Sequence, residues 1–348
     1  MLRRPGTAAA AEVGLLDYVQ QAELPGFLMP VFASLNRLLK RARSPKDLAR
    51  WLDVPEGELR GWLSGPAPWA RGYDYDHFTI AKRRGGTRTI DAPGDKLKVL
   101  QRRVLHRLLG PLPARPEATG FVRGRSIVDN ARPHVGQGVV VNFDLADFFP
   151  SITANRVEAA WRALGWDAEA ATILTRICTL DGRLPQGAPT SPALSNLVCR
   201  RLDARLGALA RSLRGQYTRY ADDLTFSFPG LGRNRRRRPG PPRSGPARRR
   251  PRGPSRRVLA TVRDIVMAEG FAIQWKKRVR IQRAHQRQTA TGLVINRKVN
   301  LPRATRRLIR AMQHRRRLGR LDDAGRRRLR GLEALAAMVD RQRAAPGR

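Results

Sequence analysis

Residues 216–228 read QYTRYADDLTFSF, and the fold turns on them. Thr218 and Tyr220 alternate with polar neighbours before the acidic pair, and Leu224, Phe226 and Phe228 alternate after it. A period of two predicts two strands around a tight turn, with Ala221-Asp222-Asp223 at its tip. Two adjacent carboxylates repel, and setting both beside a sheet is unfavourable unless a cation neutralises them. Asp-Asp on its own reads as an ordinary turn, since Asp favours turns. The surrounding sequence is what changes that reading.

Acid is scarce here, so its position is informative. The 348 residues hold 28 Asp and Glu against 69 Lys and Arg, a formal charge of +41. So large a positive charge points to a polyanion, with nucleic acid the first candidate and an anionic membrane surface the second. Hydrophobic residues make up 41%, enough for a sizeable core and too many for a collagen-like or wholly disordered chain. Two cysteines, Cys178 and Cys199, exclude a disulfide scaffold and a cysteine-based zinc site. The N-terminal residues do not read as a signal peptide, because Glu12 and Asp17 interrupt the apolar run. A cytoplasmic protein is expected, with no membrane partner.

Outward from the hairpin, the run Val139-Val140-Val141 reads as a strand buried on both faces, ending at Asp144. Three carboxylates converging from two strands form an oxygen-only site suited to Mg²⁺, and two such ions clamp the oxygens of an in-line phosphoryl transfer. Residues 73–92 predict another hairpin, turning at Arg84-Gly85-Gly86-Thr87, with a helix over Leu97–Leu108 after it. Ser191-Pro192 starts a helix whose apolar stripe runs from Leu194 to Leu213 over more than five turns. Residues 1–72 read as short helices. Of these, the pair within 44–63 imitates a helix-turn-helix DNA reader, as many small helical lobes do. Residues 229–257 are rich in Pro, Gly and Arg, lack acid, and read as a disordered basic insertion. Beyond Pro302 the chain is helical and rich in arginine, with inward residues Leu329, Leu332, Leu335, Ala336 and Val339. Its runs Arg315-Arg316-Arg317 and Arg326-Arg327-Arg328, with few acids nearby, are expected to touch phosphate.

Taken together, these segments resemble a family. Tyr220-Ala221-Asp222-Asp223 is similar to the YxDD box of reverse transcriptases, NFDLADFFPSI (142–152) to their first aspartate block, and LPQGAPTSP (184–192) to their template-and-nucleotide block. All three occur in the family's order. Asn130-Ala131-Arg132-Pro133-His134 resembles the NAxxH signature of retron enzymes, Ala290-Thr291-Gly292-Leu293 their VTGL box, and residues 75–104 their N-terminal block.

The resemblance implies an α+β right-hand polymerase. Its fingers would span 73–138 with part of 150–185. A palm of antiparallel sheet backed by helices would span 139–300, interrupted by 229–257, and a helical, RNA-binding thumb 301–348. It implies that Asp144, Asp222 and Asp223 are catalytic and, with Leu145, hold two Mg²⁺ ions. Lys82 and Arg88 would grip the triphosphate of a dNTP, Phe149 would act as the gate against a ribose 2′-OH, and Gln186 and Gly187 would line the nucleotide pocket. Lys277 would assist the leaving pyrophosphate, although Gln274 and Arg278 stand where the family has Asn and Thr. Asn130, His134, Arg315, Arg316 and Arg317 would contact RNA, His134 having a structural hydrogen bond as its equal alternative. The implied activity is RNA-directed DNA synthesis on a partner noncoding RNA from a 2′-OH primer, giving branched RNA-linked DNA in anti-phage defence, with a separate effector protein. The alternatives are a reverse transcriptase of group II intron or diversity-generating type, and a basic RNA-binding protein with a vestigial site.

Overall fold

The computed structural model describes residues 44–64, 74–82, 85–229, 256–275 and 279–344. Lys277 and nearly all of 229–257, as well as the chain before Ser44, lie outside the described residues. The chain divides into two compact units. One takes the described residues up to Pro113 with Ile152–Leu194, the other Ala114–Ser151 with the described residues from Ser195.

In the first unit, α1 (Pro45–Leu52) starts on a capping box formed by Ser44 and Asp47, with Pro45 at the first helical position. α2 (Glu56–Gly61) follows. Leu48, Leu52 and Leu59 are fully buried, so the lobe is part of this unit's core. Arginines close its carbonyl ends: Arg103 donates to the carbonyls of Leu52 and Asp53, Arg107 to that of Trp51, and Arg176 to that of Trp62. β1 (Tyr75–Ala81) and β2 (Thr87–Pro93) pair antiparallel, with Ile80 opposite Arg88. The expected hairpin forms, but Phe78 and Ile80 are 50% and 48% exposed, so its apolar face is not core. α3 (Asp95–Val104) leads into a π-helical turn, Leu105–Leu109, which breaks the expected single helix. α5 (Ala154–Ala163) and α6 (Ala168–Cys178) pack around Trp161, Ile173, Leu174 and Ile177.

The second unit is built on a four-stranded antiparallel sheet in the order β4 (Gln216–Tyr220), β5 (Asp223–Phe228), β3 (Val139–Asp144), β6 (Arg280–Arg283). Phe143 and Phe226 meet edge to face at 5.8 Å within it. α4 (Ile127–Ala131) precedes β3. The predicted long helix after Ser191 is two helices, α7 (Ser191–Val198) and α8 (Arg200–Ser212). α8 packs on β4 and on α9 (Arg256–Ala268), where Arg205 pairs with Glu269 at 2.7 Å. After α9 the strands are β6 and the short pair β7 (Thr289–Ala290) and β8 (Leu293–Val294). α10 (Arg303–Arg317) and α11 (Asp323–Ala344) bury Ile309, Met312, Leu329 and Val339 in a cluster shared with Val128, Val140 and Ile295. Leu332, Leu335 and Ala336 flank that cluster, so the inward stripe read from sequence is the one observed.

Candidate active site

Strand register assembles the acidic site. β3 and β5 pair from Val139 opposite Phe228 to Asp144 opposite Asp223, so two carboxylates close the same end of the sheet. Asp222 follows Ala221 in the two-residue turn between β4 and β5 and is exposed. Ala221 is held at φ 57, a left-handed conformation that costs an L-residue about 1–2 kcal/mol. Strain of this kind collects at functional sites. The chain after Asp144 is fixed on both sides. The Leu145 amide donates to the Asp222 carbonyl at 2.9 Å, and the Gln274 amide donates to the Asp144 carbonyl at 2.8 Å.

Electrostatics shows how crowded the carboxylates are. Burial, then Asp144, then Asp222 push the Asp223 carboxyl up from 3.8 to about 7, against a smaller opposing pull from Arg280. The donors are hard oxygens, which suit a hard divalent cation, and a cation there would remove this repulsion. Among the described residues no three His, Cys, Asp or Glu side chains are already closed into a metal cage. Backbone register sets Asp144 opposite Asp223, next in sequence to Asp222.

Phe149 lies in the turn after β3, half-buried, with its ring 5.3 Å from Phe148 and 6.0 Å from Phe121. The structure thus brings Asp144, Leu145, Phe149, Asp222 and Asp223 together in the second unit. Lys82, Arg88, Gln186 and Gly187 belong to the first. There the Gln186 carbonyl accepts from the Asp91 amide of β2 at 3.0 Å. A Cβ on Gly187 would sit 2.4 Å from the Asp91 carbonyl oxygen, so only glycine allows this approach. Lys82 and Arg88 are exposed near the turn of the β1–β2 hairpin.

Two expected RNA contacts are corrected. Asn130 and His134 are completely buried and face the sheet. The Asn130 side-chain oxygen accepts from the Thr119 hydroxyl at 2.7 Å. His134 lies between the Ser227 hydroxyl on β5 (2.7 Å) and the Thr218 hydroxyl on β4 (2.8 Å). Burial pushes its pKa down to about 3, so the ring is neutral. These residues clamp the base of the β4–β5 hairpin and have no surface to offer RNA. Arg315, Arg316 and Arg317 are exposed, as a phosphate contact requires, but Arg316 pairs with Glu333 at 3.3 Å and Arg326 with Asp323 at 2.7 Å. The C-terminal arginines are therefore not all without acid partners. Tyr217 is core, its hydroxyl donating to Asp203 at 3.0 Å, and not a base-stacking surface. Cys178 and Cys199 are buried thiols, and burial pushes Cys178 up to about 12.

Sequence reading missed the support beneath the hairpin. Arg219 and Asp203 form a completely buried ion pair at 2.7 Å. Burial works against the Arg219 charge, but Asp203 outweighs it and the pKa is raised. The available signal was a charged residue within each apolar stripe.

Paired aspartates thus stand at a strained sheet turn in a strongly basic protein. The family described as reverse transcriptase (RNA-dependent DNA polymerase) matches residues 80–291, more than half of the chain. The chain is 38% identical to the retron Mx65 reverse transcriptase of Myxococcus xanthus, over 91% of this chain and 73% of that one. It is 38% identical to the retron Mx162 reverse transcriptase of the same organism, over 85% and 64%. It is 33% identical to the retron Ec86 reverse transcriptase of Escherichia coli, over 86% and 82%. The chain therefore belongs to the reverse transcriptases, an RNA-directed DNA polymerase of α+β fold. Within that family it is a retron-type enzyme. Reverse transcriptases use divalent metal ions. No helix among the described residues is long and apolar enough to cross a membrane.

Proposed function

We propose that the protein reverse transcribes a partner noncoding RNA, starting from a 2′-OH of that RNA, and yields branched RNA-linked DNA that serves anti-phage defence beside a separate effector. The observation that carries the site assignment is the register that sets Asp144 opposite Asp223, one residue from Asp222. In this reading Asp144, Asp222 and Asp223, with Leu145 adjacent, hold two Mg²⁺ ions. When bound, these supply Lewis-acid stabilisation of the attacking and leaving oxygens. Phe149 crowds the 2′ position of the incoming sugar. Gln186 and Gly187 line the nucleotide pocket, and Lys82 and Arg88 bind the triphosphate, where an arginine fork and a lysine point charge suit phosphate oxygens. Lys277 assists the leaving pyrophosphate.

The hairpin 75–93 belongs to the fingers, the four-stranded sheet to the palm, and α10–α11 to an RNA-gripping thumb. Exposed arginines on α10 favour the last assignment, because A-form helices are recognised mainly through backbone and shape. Similarity to retron enzymes over most of the chain supports this reading over group II intron or diversity-generating enzymes.

The test is expression of the gene with its native flanking DNA, followed by extraction of small DNA. A species whose mobility shifts on debranching, and which disappears in Asp222→Ala/Asp223→Ala, is the expected result. Primer extension on a generic RNA without any branched product would reject the branched-priming reading.

A further inference from the structure

The Arg219 cluster directly underlies the turn that carries the acidic pair. Arg219 grips Asp203 with both edges of its fork, Nε to Oδ1 at 2.8 Å and Nη2 to Oδ2 at 2.7 Å. Its remaining donors reach outward. Nη1 donates to the Ala221 carbonyl at 3.3 Å, and Nη2 to the Asn196 side-chain oxygen at 3.0 Å. Asn196 in turn donates from Nδ2 to the Gly120 carbonyl at 2.9 Å. Gly120 lies against the turn so closely that a Cβ would be 2.6 Å from the Ala221 nitrogen. The next residue, Phe121, is left-handed at φ 62 and 46% exposed. Its ring lies 6.0 Å from Phe149 and 6.5 Å from Tyr220.

A buried ion pair is weak support for stability as such, since apolar residues of similar volume do as well. A guanidinium adds direction, with five donors in one plane whose angles do not adjust. Here that plane is anchored by Asp203 and aimed, directly or through Asn196, at two backbone carbonyls. Each carbonyl belongs to a non-glycine residue in a strained conformation or to the neighbour of one. Strained backbone persists only where its surroundings over-determine it.

We propose that Arg219, anchored by Asp203, is a positioning residue with two branches. One branch, to Ala221, sets the Asp222-Asp223 carboxylates. The other, through Asn196 and Gly120, sets Phe121 as the ring that backs Phe149. Phe121 thereby becomes a determinant of sugar selectivity that acts through Phe149. The proposal rests on the reading of Asp222 and Asp223 as metal ligands and of Phe149 as the sugar gate.

The test uses the full chain in primer extension on an RNA template, with rates normalised to active sites. Three quantities are read: the Mg²⁺ midpoint, kcat and KM for dNTP, and the dNTP/rNTP selectivity. Arg219→Lys keeps the charge and loses the fork. It is expected to raise the Mg²⁺ midpoint at least threefold and to lower selectivity at least threefold. Asn196→Ala cuts only the second branch at a half-buried position. It is expected to lower selectivity at least threefold while the Mg²⁺ midpoint stays within twofold. Lowered thermal stability or active fraction, with both quantities unchanged in both variants, would overturn the proposal. If Arg219→Lys does not fold, the split in Asn196→Ala alone decides it: unchanged selectivity there overturns the second branch. Asp222→Ala and Phe149→Ala separate this from failure of the underlying reading. Retained synthesis in the first, or unchanged selectivity in the second, would refute the site itself and not the support beneath it.

Discussion

Replacing a carboxylate of the proposed site should make the metal-free protein more stable. Asp223 is half-buried and faces Asp144 and Asp222, and its carboxyl is raised from 3.8 to about 7. At roughly 1.4 kcal/mol per pH unit, that rise is equivalent to about 4 kcal/mol as an upper bound above pH 7. Partial exposure screens the charges, so about half of that, ~2 kcal/mol, is the working expectation. The sign follows from proton uptake. The folded state binds the Asp223 proton more tightly than the unfolded chain does, so this group's contribution to stability falls as pH rises from about 4 to about 7. Asp223→Asn removes that loss. In chelator at pH 8 the variant should melt ~4 °C higher, taking about 2 °C per kcal/mol for a chain of this size. The gap should shrink as pH falls toward 4, where the folded carboxyl is protonated and the unfolded one increasingly so. Added Mg²⁺ should also narrow it, because cation binding stabilises only the wild-type site. Differential scanning calorimetry across this grid is the assay. A variant no more stable than wild type at pH 8 in chelator would refute the electrostatic reasoning.

Three further outcomes follow from the geometry. His134 is pushed down to about 3 in the fold, so its contribution is fully present above about pH 6.5 and is lost below it at ~1.4 kcal/mol per pH unit. Urea titrations of wild type and His134→Gln at pH 7, 6 and 5 should converge at that rate, and parallel pH dependences would contradict a neutral buried ring. Gly120→Ala places a Cβ 2.6 Å from the Ala221 nitrogen, which should displace the turn, cost about 1–3 kcal/mol and lower kcat at least tenfold; full activity at normal stability would show that the contact yields freely. Phe149→Ala should admit ribonucleotides, lowering dNTP/rNTP selectivity at least tenfold in single-nucleotide extension, and unchanged selectivity would remove it as the gate.

Much of the site was legible because its signals are local. The turn between β4 and β5, the strand ending at Asp144 and the Gln186-Gly187 loop each lie within a dozen consecutive residues. The rest depends on tertiary contacts that alternation does not encode. The sheet is buried on both faces at β4, so Arg219 has no solvent to face and needs Asp203 from α8. His134 and Asn130 form a recognisable signature, but whether a signature faces RNA or a hairpin base is decided by burial alone. The stripe from Leu194 to Leu213 is continuous in sequence, and at Cys199, between α7 and α8, helical bonds still join Cys199 to Ser195 at 3.0 Å and Asp203 to Cys199 at 2.9 Å. In the β1–β2 hairpin the period of two placed the strands correctly, and Phe78 and Ile80 remain exposed.

Whether the acidic turn polymerises DNA is decided by extension of a DNA primer on an RNA template by the purified full chain, wild type against Asp222→Asn, with Mg²⁺ and dNTPs. Robust extension by the wild type is expected, with a loss of at least a thousandfold in the variant and RNA affinity unchanged in a parallel filter-binding titration. Extension by Asp222→Asn at a comparable rate would contradict the assignment of the site.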